Sequence, residues 1–371
     1  VNVESVATPA EKFAAAKKRG THPLTTEFIG QFEFGFDEFQ IQACHAVEDG
    51  KGVLVAAPTG AGKTVVGEFA AFSALSRGKK CFYTTPIKAL SNQKYFEFVE
   101  RFGEDRVGLL TGDTNVNSDA DVLVMTTEVL RNMLYANSST LTNLGSVVMD
   151  EVHYLADKFR GAVWEEVLIH LMESVQVISL SATVSNAEEF GEWLGEVRGS
   201  TEVIVSEIRP IPLYQHVLIG NRLIDLFSEP GRVNPEILGL EREALRRQKA
   251  PRGRRDRYED SDSRLSRADI IDKLQRENLL PAITFIFSRA GCDAAVKQCL
   301  QAGIKLTSTE ERLEIVTTAQ RYTQNLAEED LEVLGYRDWL LALERGIAAH
   351  HAGLLPSFKG AVEDLFKRGL V

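Results

Sequence analysis

No run in this 371-residue chain approaches the ~18 consecutive apolar residues of a membrane-crossing helix. The N-terminus lacks a basic stretch followed by an apolar one, so no export signal is legible. A cytoplasmic address with no membrane partner is the expectation. Cysteine is scarce: Cys44, Cys81, Cys292 and Cys299. Cys44 and Cys81 sit in apolar segments and read as small core residues. Cys292 and Cys299 fall about two turns apart on an expected helix, the wrong spacing for a zinc site. A disulfide framework is therefore not expected. Excess positive charge is also missing. The 42 Lys and Arg against 53 Asp and Glu leave a net charge of −11. That argues against nucleic-acid attraction over a broad patch, but not against a local groove, because counterion release depends only on the phosphates contacted. No short-period internal repeat is visible.

What is present is the composition of a globular protein, 44% hydrophobic and 26% charged. At roughly 150 residues per domain, two domains are expected. Residues 1–30 read as loosely structured, with a short helical patch from Pro9 to Arg19. Residues 31–208 alternate short apolar runs with amphipathic stretches. The expected strands are Val53–Ala57, Cys81–Thr85, Val107–Thr111, Val122–Thr126, Val147–Asp150, Val177–Ser181 and Val203–Val205. Helix-like stretches such as Lys88–Arg101, Val129–Ala136 and Trp164–Met172 lie between them. Continuous apolar strands alternating with helices predict an α/β fold whose parallel sheet is covered on both faces. Loops at the carboxyl ends of the strands should then carry the chemistry.

Residues 209–268 form a connection. Arg209–Pro210–Ile211–Pro212 interrupts regular structure, and Tyr214–Ile219 reads as one extended strand. The arginine-rich stretch from about Glu229 to Arg267 reads as a solvated linker; its alternative is a basic arm on nucleic-acid phosphate. A second α/β pattern spans 269–371. Strands are expected at Ile283–Ser288, Gly346–His350 and starting at Leu370–Val371, and helices at Ala290–Ala302, within Glu310–Arg345 and at Phe358–Lys367.

The chemistry begins at Ala57–Pro58–Thr59–Gly60–Ala61–Gly62–Lys63–Thr64, between an apolar strand and an expected helix. A glycine-rich loop in that context cradles phosphate with backbone N–H groups and a helix N-terminus. Lys63 would pair with the β- and γ-phosphates of ATP, and Thr64 would offer its hydroxyl to Mg²⁺. Ala57 stands where the general pattern has its first glycine. Asp150–Glu151–Val152–His153 ends another apolar run. Beside a phosphate loop, Asp150 reads as orienting the metal and Glu151 as positioning and polarising the attacking water. Ser179–Leu180–Ser181–Ala182–Thr183 could bond the acidic motif and sense the γ-phosphate; read alone, it is a helix cap.

Thr85–Pro86–Ile87–Lys88, Thr111–Gly112–Asp113 and Thr126–Thr127–Glu128 each follow a strand. Singly they are ordinary caps; together they suggest a surface that tracks phosphates. Upstream of the loop, Gln40 could match the adenine edge, and an aromatic from Phe34 to Phe39 could stack on the base or anchor the core. Adjacent His350 and His351 on a strand would point to opposite faces, which argues against a shared metal ion.

Taken in order, APTGAGKT, TPIKALSNQKY, TGD, TTEVLRNML, DEVH, SAT, FIFSRAGCD and HHAGLLPSFKGAVEDLF resemble the Ski-like DExH group of superfamily-two helicases, from Phe34 to Val371. The resemblance implies two RecA-like P-loop domains, the second incomplete here, with ATP and Mg²⁺ bound and single-stranded or tailed duplex nucleic acid as partner. It implies that Phe34 stacks on adenine, Gln40 bonds it, and Thr59, Gly60, Ala61, Gly62, Lys63 and Thr64 hold the phosphates. His153, Ser181 and Thr183 would couple hydrolysis to nucleic-acid contact. Pro86, Lys88, Thr111, Gly112, Thr127 and Glu128 would line the strand's backbone. Ser288, Arg289, His351 and Gly353 match strand-binding or domain-closing motifs of the second domain. The group's later ATP-closing motif and its arginine pair, QRRGRAGR-like, are not in this sequence, so a fragment of a longer, monomeric helicase is expected, binding nucleotide but hydrolysing it slowly. RNA is the favoured substrate and DNA the alternative. A non-hydrolysing, nucleotide-switched binding module is the reading from another class. A P-loop transporter ATPase would need an LSGGQ-like signature, which is not found.

Overall fold

The structure is a computed structural model that describes residues 21–157, 161–182, 187–219, 222–229, 231–249 and 265–371; for residue 156 and residues 243–249 it describes the backbone only. The expected helical patch from Pro9 to Arg19 lies outside the described residues, as does Thr183. The chain divides into two compact units that meet between Leu213 and Tyr214.

The first unit is built on eight strands: β1 Gly52–Ala56, β2 Lys80–Thr85, β3 Val107–Leu110, β4 Asn115–Val116, β5 Val122–Thr126, β6 Leu144–Met149, β7 Gln176–Ser181 and β8 Thr201–Val205. Their order in the sheet is β4-β3-β5-β2-β6-β7-β1-β8. Every neighbouring pair is parallel except β3 with β4. Among the described residues, seven α-helices accompany the sheet: α1 Pro23–Ile29, α2 Glu38–Glu48, α3 Thr64–Ser76, α4 Lys88–Phe102, α5 Thr127–Tyr135, α6 Gly161–His170 and α7 Ala187–Arg198. All seven expected strands are present, with ends shifted by up to three residues. Helix α1 lies where a loose segment was expected.

Successive side chains on these strands point to opposite faces and meet different cores. Val53 and Val55 pack with Phe28, Val47, Phe69 and Phe98 from α1 to α4. Leu54 packs with Trp164, Leu168 and Leu194 from α6 and α7. Both faces are dry, which is why the strands read as continuous apolar runs rather than as alternation. Gly67, midway along α3, permits a close helix-to-sheet approach. A Cβ there would lie 2.7 Å from Tyr83 Cε2 and 3.2 Å from Val148 Cγ1.

The second unit is mainly helical among its described residues. It has two hairpins, β9 His216–Ile219 with β10 Arg222–Asp225 and β11 Phe227–Glu229 with β12 Arg232–Val233. Its helices are α8 Pro235–Lys249, α9 Arg267–Arg276, α10 Arg289–Gln301, α11 Thr309–Thr323, α12 Glu328–Val333, α13 Tyr336–Glu344 and α14 Pro356–Lys367. A small core joins Ile315, Ala319, Leu343, Val362, Leu365 and Leu370. The sequence places strands at Ile283–Ser288 and Gly346–His350; the structure has no ladder at either segment. A strand requires a neighbouring strand to take its N–H and C=O groups, and no described strand lies alongside either segment; the Gly346 and Ile347 N–H groups instead donate to the Leu343 and Ala342 carbonyls at the end of α13. Ile283, Phe285 and Phe287 stand 63%, 82% and 104% exposed, alternate side chains turned to solvent. Part of the expected linker is likewise regular structure, as α8.

Candidate functional site

Register places the chemistry. Ala56, the last residue of β1, is paired with Ser181, the last of β7, and Met149 at the end of β6 is paired with Ser179. Adjacent strands lie about 4.8 Å apart, so the phosphate loop after β1 and the acidic motif after β6 flank the end of β7 across roughly 10 Å. On the other side of β6, the carboxyl ends of β2, β5 and β3 stand next to one another. They deliver Pro86 and Lys88, Thr127 and Glu128, and Thr111 and Gly112. The sheet edge thus carries two contiguous triplets: β6-β7-β1 with the motifs expected to hold nucleotide, and β3-β5-β2 with those expected to track phosphates.

In the loop, Gly60 and Gly62 hold φ of +87° and +80°, left-handed values that favour glycine. Lys63 curls over the loop; its Nζ donates to the carbonyls of Ala57 at 2.7 Å and Pro58 at 3.1 Å. Burial draws its ammonium below the ordinary lysine value, while Glu151 and Asp150 pull it back up. A partly buried cation satisfied only by carbonyls is an arrangement that an anion improves. Thr64 Oγ1 accepts a hydrogen bond from Lys94 Nζ at 3.2 Å, and Lys94 also pairs with Glu97 at 2.7 Å. A cation thus already sits beside the hydroxyl assigned to metal. The Thr64 hydroxyl and the Asp150 carboxylate, on the segments that follow β1 and β6, are oxygen donors of the kind a hard divalent ion takes.

Gln40 is buried, 5% exposed, with both ends of its amide engaged. Its Oε1 accepts from the Asp37 N–H at 2.9 Å, and its Nε2 donates to the carbonyls of Ala61 at 3.3 Å and Gly62 at 3.1 Å. The side chain therefore ties the start of α2 to the phosphate loop. Phe34 meets Phe36 at 5.8 Å and Phe32 at 5.1 Å yet remains 56% exposed, so part of the ring is open to a base.

The acidic motif is strained. Glu151 adopts φ 55°, ψ 41°, the left-handed region, which a glutamate occupies only at a cost. The Glu151 N–H donates to Asp150 Oδ1 at 2.9 Å, and Tyr83 Oη donates to Asp150 Oδ2 at 2.7 Å. His153 Nδ1 lies 3.3 Å from Glu151 Oε2. The hydroxyls of Ser179 and Ser181 are buried with no hydrogen-bond partner among the described residues, Ser181 beside the phosphate loop. Such orphaned groups mark a place where a polar ligand completes the bonding.

In the second triplet, Lys88 pairs with Asp113, whose carboxyl Lys88 and then Thr111 hold below the usual range. Pro86 is buried, Lys88 and Gly112 are exposed, and the buried Thr127 Oγ1 donates to the Thr85 carbonyl at 3.3 Å. In the second unit, Ser288 caps α10, accepting from the Gly291 N–H at 3.1 Å. A Cβ on Gly353 would lie 3.3 Å from Arg289 Cδ, and the Gly353 N–H donates to His351 Nδ1 at 3.1 Å. Ser288, Arg289, His351 and Gly353 are therefore brought together. His350 and His351 have separate carboxylate partners, Glu363 at 2.8 Å and Asp293 at 3.2 Å.

Tyr83 and Lys94 carry no signal of their own in the sequence. Tyr83 hides in the apolar run of β2, and Lys94 is one of many charged residues on α4. A polar hydroxyl inside a strand buried on both faces is the one hint that was available.

Comparison with known proteins agrees with this layout. Residues 37–190 match the DEAD/DEAH box helicase family. The chain is 56% identical over 361 residues to the probable helicase HelY of Mycobacterium leprae (strain TN), covering 93% of this chain and 39% of that protein. It is 41% identical to the DExH-box ATP-dependent RNA helicase DExH15, chloroplastic, of Arabidopsis thaliana, covering 93% of this chain and 32% of that one. It is 39% identical to the superkiller complex protein 2 of Mus musculus, covering 92% of this chain and 28% of that one. The chain thus spans well under half the length of these relatives. With the phosphate loop, the acidic motif and their spacing on one sheet edge, these likenesses give the chain a DEAD/DEAH box helicase domain in its first unit and make it similar to DExH helicases over more than nine-tenths of its length.

Proposed function

We propose that this chain is the nucleotide-binding part of an ATP-dependent helicase that steps along single-stranded RNA and opens tailed duplexes. The observation that carries this reading is the division of one sheet edge into adjacent triplets, β6-β7-β1 and β3-β5-β2, separated by no intervening strand. The loop after β1 holds the triphosphate by backbone N–H groups, and Lys63 leaves its carbonyl partners for the β- and γ-phosphates. Phe34 offers a ring face to adenine, and Gln40 keeps the loop registered against α2. Thr64 and Asp150 would hold a divalent cation, which when bound neutralises charge on the phosphates. Glu151 positions water for attack on the γ-phosphorus and accepts its proton. His153 and the orphaned Ser181 hydroxyl lie where a change at the phosphates reaches the acidic motif. Lys88, Thr111, Gly112 and Glu128 hold the nucleic-acid backbone beside the buried Pro86 and Thr127, and in the second unit Ser288, Arg289, His351 and Gly353 offer contacts of their own.

This chain alone is expected to bind ATP and turn it over slowly. A transition-state arginine supplies about 10³–10⁵ in rate, and none of the motifs above provides one. The test measures fluorescent ATP binding, ATP turnover and anisotropy with single-stranded RNA and DNA of one sequence. The expected result is nucleotide binding lost in Lys63→Ala, slow turnover, and tighter binding of RNA. Fast, nucleic-acid-stimulated turnover by residues 1–371 would refute the slow-turnover expectation, and tighter DNA binding the choice of RNA.

A further inference from the structure

Tyr83 is a buried ionisable side chain with no part in the mechanism above. It is 0% exposed, on β2, the strand of its triplet that adjoins β6. Its ring lies edge-on to Phe98 of α4, centroids 5.0 Å apart, and against Gly67 of the phosphate-loop helix α3. Packing accounts for the ring but not for the oxygen, since phenylalanine fills nearly the same space. A buried hydroxyl without a partner is destabilising, so its presence calls for a specific bond. That bond goes to Asp150 Oδ2, at 2.7 Å. The other carboxylate oxygen accepts the Glu151 N–H at 2.9 Å. One oxygen is thus fixed by the motif's own backbone and the other by the neighbouring strand. Turning the carboxylate breaks a charge-assisted hydrogen bond at one end or the other.

We propose that Tyr83 is a positioning residue for the divalent-cation site, its hydroxyl fixing the Asp150 carboxylate in the orientation that receives the cation of a metal–nucleotide complex. The proposal rests on the reading of Asp150 as the cation-orienting residue. Groups that hydrogen-bond a ligating carboxylate commonly change metal affinity 10–100-fold when removed. Two residues beyond Tyr83, the same strand ends at Thr85 and leads to Pro86 and Lys88. The orientation of Asp150 and the backbone-tracking surface therefore share β2.

The test is Tyr83→Phe in the full chain, with wild type and Asp150→Asn alongside. Fluorescent ATP is titrated in Mg²⁺ and in EDTA, and Mg²⁺ is titrated at fixed nucleotide. For Tyr83→Phe, the Mg²⁺ midpoint should rise about 10-fold. Its affinity in EDTA and its thermal unfolding should match wild type, and Asp150→Asn should lose the Mg²⁺ enhancement. An unchanged midpoint in Tyr83→Phe, with the enhancement still lost in Asp150→Asn, would overturn the proposal and leave the Asp150 reading standing. Equal weakening in Mg²⁺ and in EDTA would mark a packing role and overturn it too. Absence of Mg²⁺ enhancement in wild type would defeat the Asp150 reading, and the proposal with it.

Discussion

Glu151 holds a backbone conformation that glycine adopts freely and glutamate does not. The strain is worth about 1–2 kcal/mol. Glu151→Gly should therefore raise stability by up to about 1 kcal/mol, or roughly 2–4 °C in Tm, while hydrolysis is lost. Scanning calorimetry with an ATPase assay reads both, and a lower Tm would show that the strain is not stored there. Gln40 acts in the opposite sense. Its amide serves one N–H and two carbonyls, so Gln40→Ala leaves the Asp37 N–H and the Ala61 carbonyl to find water, while the Gly62 carbonyl keeps the Val65 N–H. A loss of about 1–3 kcal/mol is expected on urea unfolding, with weaker nucleotide binding because the loop loses its tie to α2. Unchanged stability would mean that solvent replaces the amide fully.

At the scale of elements, the loops after the strands are held by polar ties that span long stretches of chain. Arg198 at the end of α7 donates to the carbonyls of Leu171 at 2.6 Å, Met172 at 2.7 Å and Val175 at 2.9 Å, closing the turn between α6 and β7. Arg198→Ala should lower stability by about 1–3 kcal/mol, and Arg198→Lys should not restore it, because a lysine lacks the planar fork. Full rescue by lysine on urea unfolding would contradict that account. Between β3 and α4, the pairing of Lys88 with Asp113 competes with phosphate. The Asp113 carboxyl is held low, so the pair persists at neutral pH and opens only as pH falls through that lowered value. Asp113→Asn should release Lys88 and tighten single-stranded RNA binding a few-fold at low salt, with the gain fading as salt rises. Weaker binding in anisotropy titrations would show that Asp113 itself contacts the strand or orders the loop.

At the scale of the whole molecule, the two units differ in how they close. The first has a complete eight-stranded sheet with a dry core on each face. Residues 21–213 expressed alone should therefore unfold cooperatively on heating and bind fluorescent ATP as the longer chain does. Non-cooperative melting would show that the first unit depends on the second. The second unit has its small core among helices, and its most apolar segment, Ile283–Phe287, stands in solvent without a ladder.

By itself the sequence determined the first unit's architecture and the identity of its chemical groups. The runs around Val53–Val55 and Val147–Met149 are apolar on both faces, and only a covered parallel sheet satisfies them. Lys63, Thr64, Asp150 and Glu151 were legible because glycine-rich and paired-acid motifs are local in sequence. Tertiary structure alone decided the rest. That Tyr83 bonds Asp150, 67 positions away, depends on β2 lying beside β6, and strand order is not written in any local pattern. The fate of Ile283–Ser288 was hidden for the same reason. Its residues suit a strand, but the hydrogen bonds that make one belong to a neighbour, and only the folded arrangement says whether that neighbour is there.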